Sequence, residues 1–139
     1  MLRGTLIHPQ ILEALGTAGH GSQVLIADGN YPFGTGANPH ARRVFLNLSP
    51  GTLSVPDVLR VLVSAIPVEA AAVMMPADGS EPPIFNEFRD LLPVGMELTA
   101  LDRFGFYEAA RGNDVALVIA TGEQRVYANI LLTIGVIPV

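Results

Sequence analysis

Four short runs in this sequence are almost entirely apolar, and stretches with a helical pattern separate most of them. The runs are QVLIA at 23–27, AAAVMM at 70–75, VALVIAT at 115–121 and YANILLTIGVIPV at 127–139. Strands with so few polar residues have no side suited to water, so we expect both of their faces to be covered. Such strands in alternation with helices are typical of a mostly parallel sheet. The sequence therefore predicts a three-layer α/β/α fold with a mostly parallel central sheet.

Four segments are expected to be helical, from apolar spacing or from the prolines and glycines at their ends. They are HPQILEALGTAGH, VPDVLRVLVSAI, PPIFNEFRDLL and RFGFYEAARG. Pro9 suits the first turn of the first segment, and Gly16 and Gly19 are placed to end it. Ser54 precedes the second segment as its N-cap, and Gly112 follows the fourth.

The length and apolar content of the chain bear on its assembly. A chain of 139 residues fits one domain, so we expect residues 1–139 to form a single α/β domain. Half of the residues are apolar, and the mean hydropathy is +0.42. This is high for a soluble monomer, so some apolar surface is expected to be buried between copies of the chain. We therefore predict a homo-oligomer.

The longest apolar region is VLRVLVSAIPVEAAAVMMPA, and three of its residues argue against a membrane span. Arg60, Pro67 and Glu69 interrupt the region, which leaves less than the roughly 18 uninterrupted apolar residues that a span needs. The opening MLRGTLIHPQILEALG has no long apolar segment and no small-residue cleavage pattern. We therefore expect no membrane partner, no secretory signal and a cytoplasmic location.

The charge and the missing residue types exclude several function classes. The net charge is −5 and the arginines are scattered apart from Arg42 and Arg43, so we expect no nucleic-acid partner. The chain contains no cysteine, which excludes thiolate nucleophiles, cysteine-ligated zinc and disulfides. All eight basic residues are arginine, which excludes Schiff-base chemistry and a lysine-anchored cofactor. Histidine, carboxylate, tyrosine and hydroxyl chemistry remain.

His20 is a candidate for acid-base chemistry. It stands between Gly19 and Gly21, which permit positive φ angles and leave the imidazole accessible. Histidine is also the side chain that ordinarily titrates near physiological pH. A loop histidine that only completes a turn is the alternative. His8 and His40 do not have metal-ligand spacing with His20, so we expect no metal.

Asp28 follows the first apolar run, at the carboxyl end of the expected strand. Ligands of open α/β sheets bind outside this end of the strands, which favours a functional role. The alternative is a carboxylate that caps the turn DGNY. His20 stands at the opposite end of the same strand, about 15 Å away. A site that uses both residues needs two subunits or a loop that folds back.

Two later segments carry further polar candidates. Tyr127 and Asn129 are two residues apart at the start of the last strand, so we expect them on one face, able to bind one small polar ligand. Arg103 is hard to bury and could reach hydroxyl oxygens of a ligand. Core packing is expected for at least two of the neighbouring aromatic residues, Phe104, Phe106 and Tyr107.

The order and spacing of these motifs resemble the family of L-fucose mutarotases and D-ribose pyranases. The motifs are Gly19-His20-Gly21, the strand to Asp28, Arg103-Phe104 with Phe106-Tyr107-Glu108, and Thr121-Gly122-Glu123 followed by Tyr127 to Leu132. The resemblance runs from HPQILEALGTAGHG to NILLTIGVIPV. It implies a mutarotase-like domain in a ring-like homo-oligomer, with a free monosaccharide bound at sites between neighbouring subunits.

The resemblance also implies roles for individual residues. Carried over by position, His20 corresponds to the catalytic proton donor. The implied substrate-binding residues are Asp28, Arg103, Tyr107, Tyr127 and Asn129. No cofactor is implied, because mutarotation needs only proton transfers as the ring opens to an aldehyde and closes on either face. Both branches of the family commonly carry an acidic residue where this chain has Ser22.

The predicted function is therefore a monosaccharide mutarotase. L-Fucose is the favoured sugar, because RFGFYE and VMMPA are similar to the fucose branch. One alternative is an isomerase of the D-ribose pyranase type. A second is a sugar-binding regulatory module without catalysis, and a third is a structural oligomer that binds no ligand.

Overall fold

The predicted apolar runs become strands of one sheet in the computed structural model, which describes residues 1–139. The strands are β1 Gln23–Ala27, β2 Arg42–Phe45, β3 Val68–Met74, β4 Leu98–Leu101, β5 Val115–Ala120 and β6 Ile130–Ile134. The helices are α1 Pro9–Thr17, α2 Val55–Val63, α3 Ile84–Leu91 and α4 Arg103–Ala110. All four expected helices are thus present. None of them combines the length and the apolar character that crossing a bilayer requires.

The sheet has six strands in the order β2-β5-β1-β6-β3-β4. Strands β1, β2 and β5 are parallel, and so are β3 and β4. Strand β6 is antiparallel to both of its neighbours, and Ile130 pairs with Ile26 and Val73. The mostly parallel sheet is confirmed, and the reversed β6 has a consequence for function. Its first residues lie beside the carboxyl ends of β1 and β3.

The two faces of the sheet are covered by different elements. Apolar side chains of α1, α2 and α3 pack with alternate sheet residues such as Ile26 and Ile130 into one buried cluster. On the other face, Leu25, Val118 and Leu131 pack against α4 and the loop that follows β1. Because hydrophobic burial is needed on both faces of an apolar strand, the sequence pattern leads directly to these layers. The three-layer α/β/α prediction is confirmed.

The helix ends follow the capping chemistry of the sequence, with one correction. Ser54 and Asp57 form a reciprocal capping box at the start of α2. His8 is the N-cap of α1 and accepts a hydrogen bond from the Ile11 amide. Gly16 does not end α1 as predicted. Helical bonding continues past it, since the amide of Ala18 still donates to the carbonyl of Ala14.

Candidate active site

A cavity of about 310 Å³ opens at the carboxyl edge of β1 and β3. Its lining includes all five of the residues predicted to bind substrate. The complete lining is Asp28, Asn30, Tyr31, Met74, Arg103, Tyr107, Val126, Tyr127 and Asn129. Of these, Asn30, Tyr31, Met74 and Val126 were not predicted from the sequence.

The topology of the sheet explains why these residues meet. Asp28 directly follows β1, and Met74 is the last residue of β3. Arg103 and Tyr107 belong to α4, which follows the neighbouring parallel strand β4 at the same edge. The reversed direction of β6 brings Asn129, just before that strand, to this edge as well. The cavity therefore occupies the position where ligands bind in open α/β sheets.

Asp28 and Asn129 form a reciprocal hydrogen-bonded pair in the wall of the cavity. The amide of Asp28 donates to Asn129 Oδ1 at 2.7 Å, and Asn129 Nδ2 donates to Asp28 Oδ2 at 3.1 Å. The first bond fixes which end of the Asn129 side chain is the acceptor. One N–H of its NH₂ group is therefore used by Asp28, and the other remains able to donate to a ligand.

The environment of Asp28 favours the neutral acid more than water does. Only 3% of its surface is exposed. Burial raises the pKa of its carboxyl group, and hydrogen bonds from Asn30, Ala128 and Asn129 lower it only partly, so that the net shift is upward. The ionised form is held by these three donors at 2.9 to 3.2 Å. It can accept further hydrogen bonds from ligand hydroxyl groups.

Arg103 is the cation of the cavity, and it has no carboxylate partner within the subunit. The ion pairs of the chain involve other arginines. Its guanidinium lies 5.9 Å from the ring centre of Tyr107, a cation–π contact that leaves the N–H donors unused. These donors are available to a ligand.

The aromatic residues around Arg103 divide between core and surface. Phe106 is fully buried, Tyr107 packs against the same cluster, and Phe104 is 75% exposed. The expectation that at least two of the three pack in the core is therefore confirmed for Phe106 and Tyr107. Tyr107 also meets Tyr31 edge to face, with ring centres 5.4 Å apart. The Tyr31 hydroxyl donates to the Gly36 carbonyl at 2.6 Å, and burial raises its pKa.

Tyr127 and Asn129 reach one cavity, but not for the reason predicted. They precede β6, which begins only at Ile130, so strand alternation does not align them. Tyr127 has a φ angle of 59°, a left-handed conformation that is uncommon for a residue with a side chain. A turn, rather than a strand, therefore directs both side chains to the cavity.

His20 is not part of this cavity. It precedes β1, at the opposite edge of the sheet from Asp28. Because β1 has five residues, the strand alone places roughly 16 Å between these two positions of the chain. One subunit does not bring the predicted proton donor together with the predicted binding residues.

His20 instead pairs with Glu69, the second residue of β3. Its Nε2 lies 3.0 and 3.2 Å from the two carboxylate oxygens of Glu69. Since a carboxylate only accepts hydrogen bonds, Nε2 carries a hydrogen and Nδ1 is the nitrogen left for proton exchange. The side chains of His20 and Glu69 are 60% and 43% exposed, so a ligand or another subunit can reach them.

Glu69 was missed as a functional candidate, although the sequence carries a signal for it. It is a carboxylate within an otherwise apolar stretch, and above we used it only as evidence against a membrane span.

Ser22 does not contact His20 as a carboxylate would. Its Oγ accepts the amide hydrogen of Gly19 at 3.3 Å and closes the turn around His20. The chain thus supplies a carboxylate to His20 from β3 rather than from position 22.

A larger cavity of about 510 Å³ lies at the same edge and shares Asn30 with the first. Its lining includes Asn47, Ser49 and Gln124, and its single charged group is Glu123. The Glu123 carboxylate is already engaged by Arg125 and by the amide of Val55. The smaller cavity is therefore the candidate active site, because it combines an unpaired cation, a buried carboxylate and aromatic walls.

Comparison with known proteins gives concordant matches over nearly the whole chain. Residues 1–137 match the RbsD / FucU transport protein family. A fucose mutarotase of Danio rerio is 30% identical over 96% of this chain and 92% of its own length. The fucose mutarotase of Streptococcus pneumoniae, solved in complex with L-fucose, has a TM-score of 0.81 and 28% identity over 95% of both chains. Bacillus subtilis RbsD, solved with D-ribose, has a TM-score of 0.86 and 25% identity over 99% of this chain and 100% of its own.

Proposed function

This chain belongs to the RbsD / FucU family, and on that premise we propose that it is a monosaccharide mutarotase. The enzyme is an isomerase that interconverts the α and β anomers of a free sugar, with L-fucose as the first candidate. The similarity to a fucose mutarotase, at 30% identity over nearly the full length of both chains, supports this assignment. We also propose that residues 1–139 act as a single mutarotase-like domain.

The observation that carries the proposal is the composition of the cavity at the carboxyl edge of β1 and β3. It offers the carboxylate of Asp28, the amide of Asn129 and the unpaired guanidinium of Arg103 beside the rings of Tyr107 and Tyr127. Sugars present hydroxyl groups around an apolar ring face, which matches a few polar groups on aromatic walls. At about 310 Å³ the cavity is at the small end of ligand pockets and suits a monosaccharide.

The reaction requires two proton transfers. A base removes the proton of the anomeric hydroxyl while an acid protonates the ring oxygen, and the bond between the anomeric carbon and the ring oxygen breaks. Rotation of the resulting aldehyde and the reverse transfers then form the other anomer. In our proposal His20 supplies and recovers the ring-oxygen proton through Nδ1, while Glu69 holds Nε2–H. A solvent water accepts the anomeric proton as the ring opens and returns a proton to the same oxygen as the ring closes. Asp28, Arg103, Tyr107, Tyr127 and Asn129 hold the sugar hydroxyls so that the ring closes productively.

The separation of His20 from the cavity leads us to propose a homo-oligomer with sites at subunit interfaces. The exposed pair of His20 and Glu69 on one subunit would face the cavity of its neighbour. Exposed apolar side chains support this arrangement, because Phe104 beside Arg103 and Val126 at the cavity are 75% and 61% exposed. Covering them would remove apolar surface from water. The cytoplasmic location stays a prediction.

D-Ribose is the second candidate sugar. The observation in its favour is the structural match to the D-ribose complex of Bacillus subtilis RbsD, which extends over nearly all of both chains. The fucose branch is preferred for the motifs RFGFYE and VMMPA. A sugar-binding module without catalysis would keep the same cavity, so catalysis must be measured directly.

Saturation-transfer NMR between the α and β anomeric protons tests the proposal. L-Fucose and D-ribose are each measured with the intact protein, with His20→Ala and with His40→Ala as the matched control, since His40 is an exposed loop histidine outside the cavity. We expect accelerated exchange that His20→Ala loses and His40→Ala keeps, with the faster sugar identifying the substrate. Sugar binding without acceleration would support the regulatory module instead.

A further inference from the structure

The loop between β5 and β6, residues 121–129, is anchored on both sides of Tyr127. On the carboxyl side, Asp28 accepts hydrogen bonds from the amide of Ala128 and the side chain of Asn129. On the amino side, the anchor is Arg125, which lies outside the cavity lining. Only Val126 separates Arg125 from Tyr127.

Arg125 and Glu123 together join this loop to two helices. Its Nε and Nη2 donate to the two carboxylate oxygens of Glu123 at 3.0 and 2.9 Å, and its Nη1 donates to Glu87 on α3. Glu123 also accepts the amide hydrogen of Val55 at the start of α2 at 3.3 Å. The two-point contact with Glu123 fixes the plane of the guanidinium as well as its position.

Glu123 is held in its ionised form despite its burial. Only 5% of its surface is exposed. Burial alone would raise the pKa of its carboxyl group, but the hydrogen bonds and the charge of Arg125 outweigh this and hold the pKa below its usual value. If Arg125 were removed, a buried carboxylate would lose its main partner, so the loop around it would rearrange.

Tyr127 depends on such anchors because its backbone conformation is unfavourable. At a φ angle of 59° a residue with a Cβ atom persists only where the surrounding structure holds it. Asp28 holds the residue after it, and the ion pairs of Arg125 hold the chain before it. Release of either anchor would allow Tyr127 to return to an ordinary φ angle and withdraw its ring from the cavity.

We propose that Arg125 is a positioning residue that places Tyr127 in the sugar-binding cavity through its ion pairs with Glu123 and Glu87. The identity of the ligand in this inference rests on the proposed function, whereas the anchoring of Tyr127 by Arg125 does not. Arg125 touches no reacting group and is not a catalytic residue. Its loss should weaken sugar binding while the proton transfers of the bound sugar continue.

The test compares Arg125→Gln with Arg89→Gln. Arg89 is the matched control, because this arginine of α3 also forms an ion pair, with Glu81, but has no contact with the loop. We expect Arg125→Gln to raise the KM for L-fucose roughly tenfold, with kcat changed less than about twofold. Arg89→Gln should leave both values unchanged. Glu87→Gln, which removes only the contact with α3, should produce a smaller increase in KM, and Arg125→Lys should restore part of the binding.

Hydrogen exchange of the Ala128 amide, which donates to Asp28, provides a second measurement that needs no sugar. Faster exchange at this amide in Arg125→Gln, but not in Arg89→Gln, is the expected result. If Arg125→Gln does not fold, the same comparison is made with Glu87→Gln. Unchanged exchange and unchanged KM would overturn the proposal, and so would a fall in kcat alone. If the intact protein does not accelerate mutarotation, the proposed function fails, while the exchange comparison still decides the role of Arg125.

Discussion

Asp28 and Asn129 hold each other by two hydrogen bonds, from the Asp28 amide to Asn129 Oδ1 at 2.7 Å and from Asn129 Nδ2 to Asp28 Oδ2 at 3.1 Å. The pair joins the end of β1 to the start of β6, two points 101 residues apart in the chain. Each residue thereby fixes the other as part of the cavity wall. Neither can be changed without leaving a buried polar group unpaired.

Asn129→Asp tests this pairing. The substitution places a second carboxylate against Asp28 and removes an N–H donor, so we expect the free energy of unfolding to fall by about 1 to 3 kcal/mol and sugar binding to be lost. Asn113→Asp is the control, since Asn113 is exposed and its side chain makes no hydrogen bond. Urea unfolding and calorimetric titration with L-fucose measure the two effects. Equal behaviour of the two variants would contradict the assigned pairing.

The pH dependence of stability should show opposite signs at Asp28 and Asp78. The pKa of Asp28 is raised by burial in the folded state, so its contribution to stability is present below the unfolded pKa, near 3.8, and is lost as the pH rises through the folded value. The pKa of Asp78 is lowered by hydrogen bonds from Ser80, so its contribution is lost as the pH falls.

Urea unfolding of Asp28→Asn and Asp78→Asn between about pH 3 and pH 7 measures these slopes against the intact protein. With rising pH, the intact protein should lose stability relative to Asp28→Asn and gain it relative to Asp78→Asn. Any constant penalty from the new amide group at position 28 does not affect the slope. Slopes of the same sign would show that burial does not dominate at Asp28.

Glu69→Gln should lower kcat with little effect on KM. The substitution removes the charge that holds Nε2–H of His20 but leaves the cavity untouched, so we expect roughly a tenfold fall in kcat. Glu97→Gln is the control, because Glu97 is exposed and forms no ion pair. The rates come from anomer exchange by NMR. A fall no larger than that of Glu97→Gln would remove Glu69 from the mechanism.

Arg103→Ala should raise KM without loss of stability. Arg103 makes no ion pair within the subunit, so its donors are free for the sugar, and we expect KM to rise about tenfold or more at an unchanged melting temperature. Arg111→Ala is a close control. Arg111 lies 5.8 Å from the ring centre of the same Tyr107 but does not line the cavity. If both variants shift KM equally, the effect comes from Tyr107 packing and not from hydrogen bonds to the sugar.

Much of the fold could be predicted because strands that are buried on both faces have almost entirely apolar sequences. The same uniformity hides the direction of a strand. Nothing in ILLTI at 130–134 indicates that β6 runs against β1 and β3. Direction depends on how the preceding loop packs, and that loop is held by contacts with distant residues such as Glu87.

Some residues of the candidate site could likewise be predicted from the sequence, and others could not. Asp28 could be located by rule, because it follows a parallel strand at the edge where ligands bind. Tyr127 and Asn129 were expected at one site through strand alternation, whereas a turn with a positive φ angle brings them there. The contact between His20 and Glu69 joins residues 49 positions apart, and no local pattern predicts it. Pairs of this kind depend on tertiary structure.

The most direct test of the account is complementation between two impaired variants, measured at L-fucose concentrations below the KM of the intact protein. If each site combines the cavity of one subunit with His20 of its neighbour, then His20→Ala and Arg103→Ala damage different halves of that site. Subunits of the two variants, unfolded together and refolded as a mixture, should recover about a quarter of the intact mutarotase activity, since random assembly pairs an intact cavity with an intact histidine at that frequency. Recovery no greater than the mean of the two separate variants would contradict a site shared between subunits.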